Sequence, residues 1–111
     1  MNNKIIAMTI LDQLGGNRFI AMTGAKDFFT NGNDCCFSIP KNASKANRIK
    51  IILETDDTYT MEFIKFVSGW FDHKNLIYHD SKVETIKKVK GLFFDQLTDI
   101  FTDVTKMYTS F

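Results

Sequence analysis

Between Arg48 and Phe66 apolar side chains recur at every second residue, and no other feature limits the chain as much. Ile49, Ile51 and Leu53 fall on one side of an extended backbone, and Lys50, Ile52 and Glu54 on the other. After Thr55-Asp56-Asp57-Thr58 the alternation resumes: Tyr59, Met61, Phe63 and Lys65 against Thr60, Glu62, Ile64 and Phe66. Successive side chains of a strand point to opposite faces, so the pattern specifies two β-strands joined by a polar turn. Both faces carry apolar residues, which puts this pair in the middle of a sheet.

The remaining segments fill in around that pair. Asn31-Gly32-Asn33-Asp34 separates Asp27-Phe28-Phe29 from Cys35-Cys36-Phe37-Ser38-Ile39. Asn and Gly tolerate positive φ, so these flanks are predicted to form an antiparallel hairpin. Pro40 ends its second strand, and residues 41–47, polar and without period, read as an exposed loop. Residues 18–23, a short apolar run closed by Gly24, read as a partly buried strand; Leu76-Ile77-Tyr78 and residues 83–89 read as strands by composition, although the second would also fit a turn and a half of helix. Ile6, Ile10 and Leu14, with Ala7 and Leu11 beside them, predict a helix from Asn3 to Leu14 stopped at Gly15-Gly16. Leu97, Ile100, Phe101, Val104, Met107 and Tyr108, with Phe93 one turn earlier, predict an amphipathic helix over about residues 92–108. The fold class is therefore α+β: an N-terminal helix, an antiparallel sheet of about five strands, and a C-terminal amphipathic helix packed on one face. Apolar residues make up 44% of 111, enough for one core. Residues 1–111 are read as a single domain, since two cores of about 55 residues each would both be marginal.

Motifs that carry catalysis are missing from the sequence. Gly24-Ala25-Lys26 has neither the earlier glycine nor the following Ser or Thr of a phosphate-binding loop. His73 and His79, flanked by Asp72 and Asp80, match no standard metal spacing, so no metal and no cofactor is assigned. Cys35 and Cys36 are adjacent, a geometry that closes a disulfide only with a distorted peptide, and both are expected to be reduced. Cys35, on a strand between turn and core, suits a small buried hydrophobe better than a nucleophile. With no Ser-His-Asp order, paired glutamates or HExxH, the expectation is a protein that is not an enzyme. The apolar runs fall short of the roughly 18–20 residues of a membrane span, and no leader cleavage site follows the first of them. The expected location is the cytoplasm, without membrane contact.

Charge is uneven although the net charge is only +1. Residues 1–50 hold seven bases and three acids, and residues 51–111 seven bases and ten acids. Lys41, Lys45, Arg48 and Lys50 place four bases in ten residues, where they could meet nucleic-acid phosphates or simply keep an edge soluble. Asp95, Asp99 and Asp103 recur at four-residue intervals and form an acidic stripe on the C-terminal helix. Ser68-Gly69-Trp70-Phe71-Asp72, followed by His73, sets two large aromatics in a polar stretch, and Trp is enriched at binding hot spots. Trp70, Phe71 and His73, with Asp95, Asp99 and Asp103 as an electrostatic face, are the candidate partner-binding residues. Lys41, Lys45, Arg48 and Lys50 are the candidates for an alternative role in nucleic-acid binding.

The block from Ile10-Leu11-Asp12-Gln13-Leu14-Gly15-Gly16-Asn17-Arg18-Phe19 through Ile20-Ala21-Met22-Thr23-Gly24-Ala25-Lys26-Asp27-Phe28 resembles a family of small proteins encoded by bacteriophages and other mobile elements. The likeness continues in Lys45-Ala46-Asn47, in Tyr59-Thr60-Met61-Glu62-Phe63, and in Gly91-Leu92-Phe93-Phe94-Asp95-Gln96-Leu97 through Met107-Tyr108-Thr109-Ser110-Phe111. The chain departs from the family in a longer stretch from about Val67 to Tyr78, and in Lys106 where the family tends to carry glycine. The resemblance implies a phage accessory protein that acts stoichiometrically on a host protein or nucleoprotein complex in the bacterial cytoplasm. A counter-defence inhibitor of the anti-CRISPR type is the form expected. The alternative is a small nucleic-acid-binding protein of phage replication or transcription.

Overall fold

The computed structural model describes residues 3–108. Along the chain run helices α1 (Asn3–Leu14) and α2 (Asn17–Thr23), then strands β1 (Lys26–Phe29), β2 (Asp34–Ser38), β3 (Arg48–Leu53) and β4 (Tyr59–Val67). Strands β5 (Trp70–Asp72), β6 (Ile77–His79) and β7 (Lys82–Leu92) follow, then a 3-10 turn at Phe94–Gln96 and helix α3 (Leu97–Thr105). Five strands form one antiparallel sheet in the order β1-β2-β3-β4-β7, while β5 and β6 pair as a separate two-stranded sheet.

The two-residue period of the sequence appears directly in the register. Ile49 lies opposite Phe63 and Ile51 opposite Met61, and all four side chains are buried. Cys35 opposite Ile51 and Phe37 opposite Ile49 extend this face into β2. Onto it pack Ile10 and Leu14 of α1, Phe19 of α2, and Leu97 and Phe101 of α3. The Phe19 ring meets Phe37 at 5.5 Å and Phe101 at 5.1 Å, both edge to face, which is the arrangement the ring quadrupole favours. All three helices join this one core. The other face of the sheet, carrying Arg48, Lys50, Glu62 and Ile64, has no helix on it.

Residues 18–23 do not form a strand: they lie in helix α2. Phe19 and Thr23, four residues apart, are its buried residues, and Thr23 Oγ1 donates to the Phe19 carbonyl at 2.7 Å. Gly16 at φ 60 turns the chain between the helices, and Gly24, left-handed at φ 72, donates its N–H to the Ile20 carbonyl and stops the second one. The C-terminal helix is also shorter than its apolar spacing predicts. Residue Leu92 is still in β7, opposite Tyr59, and the Phe93 N–H donates to Gln96 Oε1 at 2.8 Å to open the 3-10 turn. At the far end Lys106 adopts φ 62 and donates its N–H to Thr102 O, closing α3 before Met107 and Tyr108. That left-handed position suits glycine. The expected β1–β2 hairpin forms, but not through paired positive φ. Only Gly32 of the Asn-Gly pair has it, and the Asp34 carboxylate closes the turn by accepting the Asn31 N–H at 2.8 Å. The strands expected at residues 76–78 and 83–89 correspond to β6 and β7, with Leu76 left in the preceding turn. Thr109, Ser110 and Phe111, the end of the last resemblance block, lie outside the described residues.

Phe101→Ala should cost about 3–5 kcal/mol, read as a lower urea midpoint at unchanged slope, because the ring sits at the junction of α2, α3 and the sheet. Lys106→Gly should act oppositely and stabilise by about 0.5–1 kcal/mol in the same assay, the relieved left-handed strain exceeding the added entropy of the unfolded chain.

Candidate functional site

Beyond the Arg48–Ile64 pair, strand pairing of β4 continues with β7 alone, from Lys65 opposite Glu84 to Val67 opposite Lys82, while on the β3 side the Asn47 side-chain amide accepts the Phe66 N–H at 2.8 Å and donates to the Phe66 carbonyl at 2.7 Å. The chain between these two strands folds into the β5–β6 hairpin, with Trp70 opposite His79, Phe71 opposite Tyr78 and Asp72 opposite Ile77. Local chemistry builds this arm. Asp72 Oδ1 accepts the N–H groups of Lys74 at 3.0 Å and Asn75 at 3.3 Å, and Oδ2 accepts Asn75 Nδ2 at 2.8 Å. The side-chain bond from Asn75, then its backbone N–H, holds the Asp72 carboxyl below the usual carboxylate range. At the base, a Cβ on Gly69 would meet the Tyr78 hydroxyl and sit 3.0 Å from the His79 carbonyl oxygen, so glycine lets the two strands approach there without displacing the Tyr78 side chain.

No side chain from residue 64 to residue 91 is buried. Within this stretch Trp70 is 53% exposed, Tyr78 61% and Leu76 77%. The Trp70 ring stacks on the His79 imidazole, centroids 4.3 Å apart and planes 13° apart, while Phe71 meets His73 edge-on at 4.8 Å. Alternation places Trp70 and His79 on one face of the arm and Phe71 and Tyr78 on the other. Leu76 holds a left-handed backbone at φ 55 as well as its exposure, two costs with no return inside the fold. Trp70, Phe71, Leu76, Ile77 and Tyr78 are thus open to water on the two faces and the turn of the arm, the kind of exposure that makes it a candidate interaction surface. His73 and His79 contribute to ring packing, and among the described residues no three His, Cys, Asp or Glu side chains gather where they could hold a metal.

The acidic residues lie elsewhere. Asp95 is in the 3-10 turn, Asp99 and Asp103 are in α3, and all three are exposed on the side opposite Leu97, Phe101 and Thr105. Asp103 reaches Lys106 at 4.0 Å, a solvent-exposed pair worth little to stability. Asp95 follows the Leu92–Tyr59 end of the β4–β7 pair, and Trp70 follows its Val67–Lys82 end, so the two candidate groups do not form one site.

The basic segment divides as well. Lys41 and Lys45 line a shallow concavity of about 330 Å³ together with Lys65, which the sequence reading did not single out. Arg48 and Lys50 are on β3 and face the uncovered side of the sheet. There the Arg48 guanidinium lies 4.1 Å from the Phe66 ring centroid, and Lys50 Nζ is 3.9 Å from Asp34 Oδ2. Phe93 and Phe94, which the sequence reading did not single out as surface residues, are both exposed where β7 gives way to α3. Gly24 caps α2, and Lys26 is the first residue of β1, paired with Ser38.

Cys35 and Cys36 are free and buried. Burial pushes the Cys35 thiol up to about 12, and burial followed by the Asp34 charge pushes Cys36 up to about 11. Both are protonated at neutral pH, and the thiolate is the nucleophilic form. Comparison with protein-family models, curated proteins and solved structures finds no match. No helix among the described residues is long and apolar enough to cross a membrane.

Neither cysteine should be alkylated by iodoacetamide in the native protein near neutral pH, and both should be in denaturant. Stability should fall as pH rises above the ordinary thiol value of 9.0, because the unfolded chain releases these protons there while the folded chain keeps them to about 11 and 12. A urea-midpoint series against pH reads this, and a rising midpoint across that window would contradict it.

Proposed function

We propose that this protein acts stoichiometrically, docking its β5–β6 arm onto a host protein or nucleoprotein complex. Its form would be that of a phage accessory protein working in the bacterial cytoplasm as a counter-defence inhibitor of the anti-CRISPR type. The observation that carries the docking surface is the arm itself, in which Trp70, Phe71, Leu76, Ile77 and Tyr78 are all exposed outside the core. The phage context rests on the resemblance of the segment from Ile10 to Phe28. In this reading Trp70 and Leu76 enter apolar pockets of the partner, with Phe71 and His73 beside them. Asp95, Asp99 and Asp103 form a separate negative face that a basic partner surface could meet.

Tagged protein should recover one defence complex from host lysate, with the same yield after nuclease treatment. Against that complex, Trp70→Ala should weaken binding by about 2 kcal/mol or more, as truncated hot spots do, and leave the melting temperature unchanged. Leu76→Gly makes a second test, because relief of the left-handed strain should raise the melting temperature while binding falls. Full-strength binding by both variants would remove the arm from the interface.

A further inference from the structure

The face of the five-stranded sheet turned away from the helices is a second surface, independent of the arm. The strand register carries Lys26, Arg48 and Ile64 along one row of it and Phe29, Lys50 and Lys88 along the next. A slot of about 140 Å³ opens here, lined among others by Phe29, Asn31, Arg48, Lys50 and Phe66. Phe29 is 46% exposed, and Arg48 lies over the half-buried Phe66 ring. Its cations are Lys26, Arg48, Lys50 and Lys88; its acids are Glu62, Asp34 and, just past the far end of β3, Glu54, whose carboxylate accepts from Thr60 Oγ1 at 2.8 Å. Asp34 is buried and already holds the Asn31 N–H and Lys50, so the charge presented to solvent is positive.

That sign selects the occupant. A second copy of the chain packed face to face would bring two surfaces of the same net positive charge together. An anionic partner with flat apolar groups satisfies both features of the surface. Single-stranded nucleic acid has both: bases that stack on aromatic rings and guanidinium planes, and phosphates for the flanking cations. In a duplex the base faces are covered by their neighbours and cannot reach Phe29. We propose that this sheet face binds single-stranded nucleic acid, with a base stacked on Phe29 beside the Arg48–Phe66 pair and Arg48, Lys26 and Lys88 on phosphates.

Fluorescence anisotropy of the full chain with labelled DNA and RNA single strands of about twelve nucleotides tests this. The expected result is saturable binding that weakens as salt rises, with the duplex of the same sequence bound more weakly. Phe29→Ala should weaken binding by about 5- to 100-fold. Arg48→Gln and Lys88→Gln should each reduce the slope of log affinity against log salt by about 0.7. Lys87→Gln is the control, because Lys87 is the adjacent residue of β7 on the other face, opposite Phe63, and its slope should not change. Lys88 is exposed on an edge strand, so its variant keeps the test open if Arg48→Gln fails to fold. No binding at low salt, a duplex bound as tightly as the single strand, or an unaffected Phe29→Ala would each overturn the proposal. A loss with Trp70→Ala in place of Phe29→Ala would also overturn it, by moving the nucleic acid to the arm.

Discussion

One-sided burial of the β3–β4 pair is the constraint on which the rest of the structure depends. Ile49, Ile51, Met61 and Phe63 are buried on one face, each contributing about 1.5–3 kcal/mol of transfer free energy. Slipping either strand by one residue would turn its polar members inward, placing Lys50 or Glu62 beneath Phe19 and Phe101 with no partner for the charge. The register is therefore fixed by what it excludes as much as by what it packs. Everything attached to these strands inherits the choice: the helices gather on one side, and Arg48 and Lys50 are committed to the other.

Patterns that ran for more than one period were legible in the sequence. The two-residue alternation gave β3 and β4 almost to the residue, and the spacing of Ile6, Ile10 and Leu14 gave α1. Helix α2 was not legible, because a six-residue run with four apolar members fits a strand as well as a short helix. The decision lay with the glycines at each end and with Phe19 reaching a core built from later parts of the chain. The start of α3 was misread for a related reason. Phe93 has the right spacing to belong to the helix, yet the pairing of Leu92 with Tyr59, a contact more than thirty residues away in sequence, keeps the chain extended up to that point.

The surfaces were legible in composition and not in arrangement. Trp70 and Phe71 stood out beside a glycine, but Leu76-Ile77-Tyr78 looked like an ordinary strand, since three apolar residues do not reveal whether anything will cover them. Lys41, Lys45, Arg48 and Lys50 looked like one basic cluster because they are close in sequence. The loop and the strand turn them to different sides, and Lys65 joins the first pair from a strand position twenty residues after Lys45. The carboxylates kept their four-residue spacing, although the first stands in the 3-10 turn and not in the helix.

The two proposed surfaces are bound to the fold in opposite ways. In the arm no residue is shared with the core, so its side chains can change with little effect on global stability, and its opening free energy can be lower than that of the body. The turn held by Asp72 and the close approach at Gly69 offset part of that looseness, which lowers the ordering cost that binding must meet. The uncovered face is the reverse case. Arg48 and Lys50 alternate with Ile49 and Ile51 on one strand, so their spacing is set by the core to within the rigidity of the sheet. A surface held in that way suits a ligand with a fixed repeat, and an arm outside the core suits a partner to which its side chains can be fitted without disturbing the body.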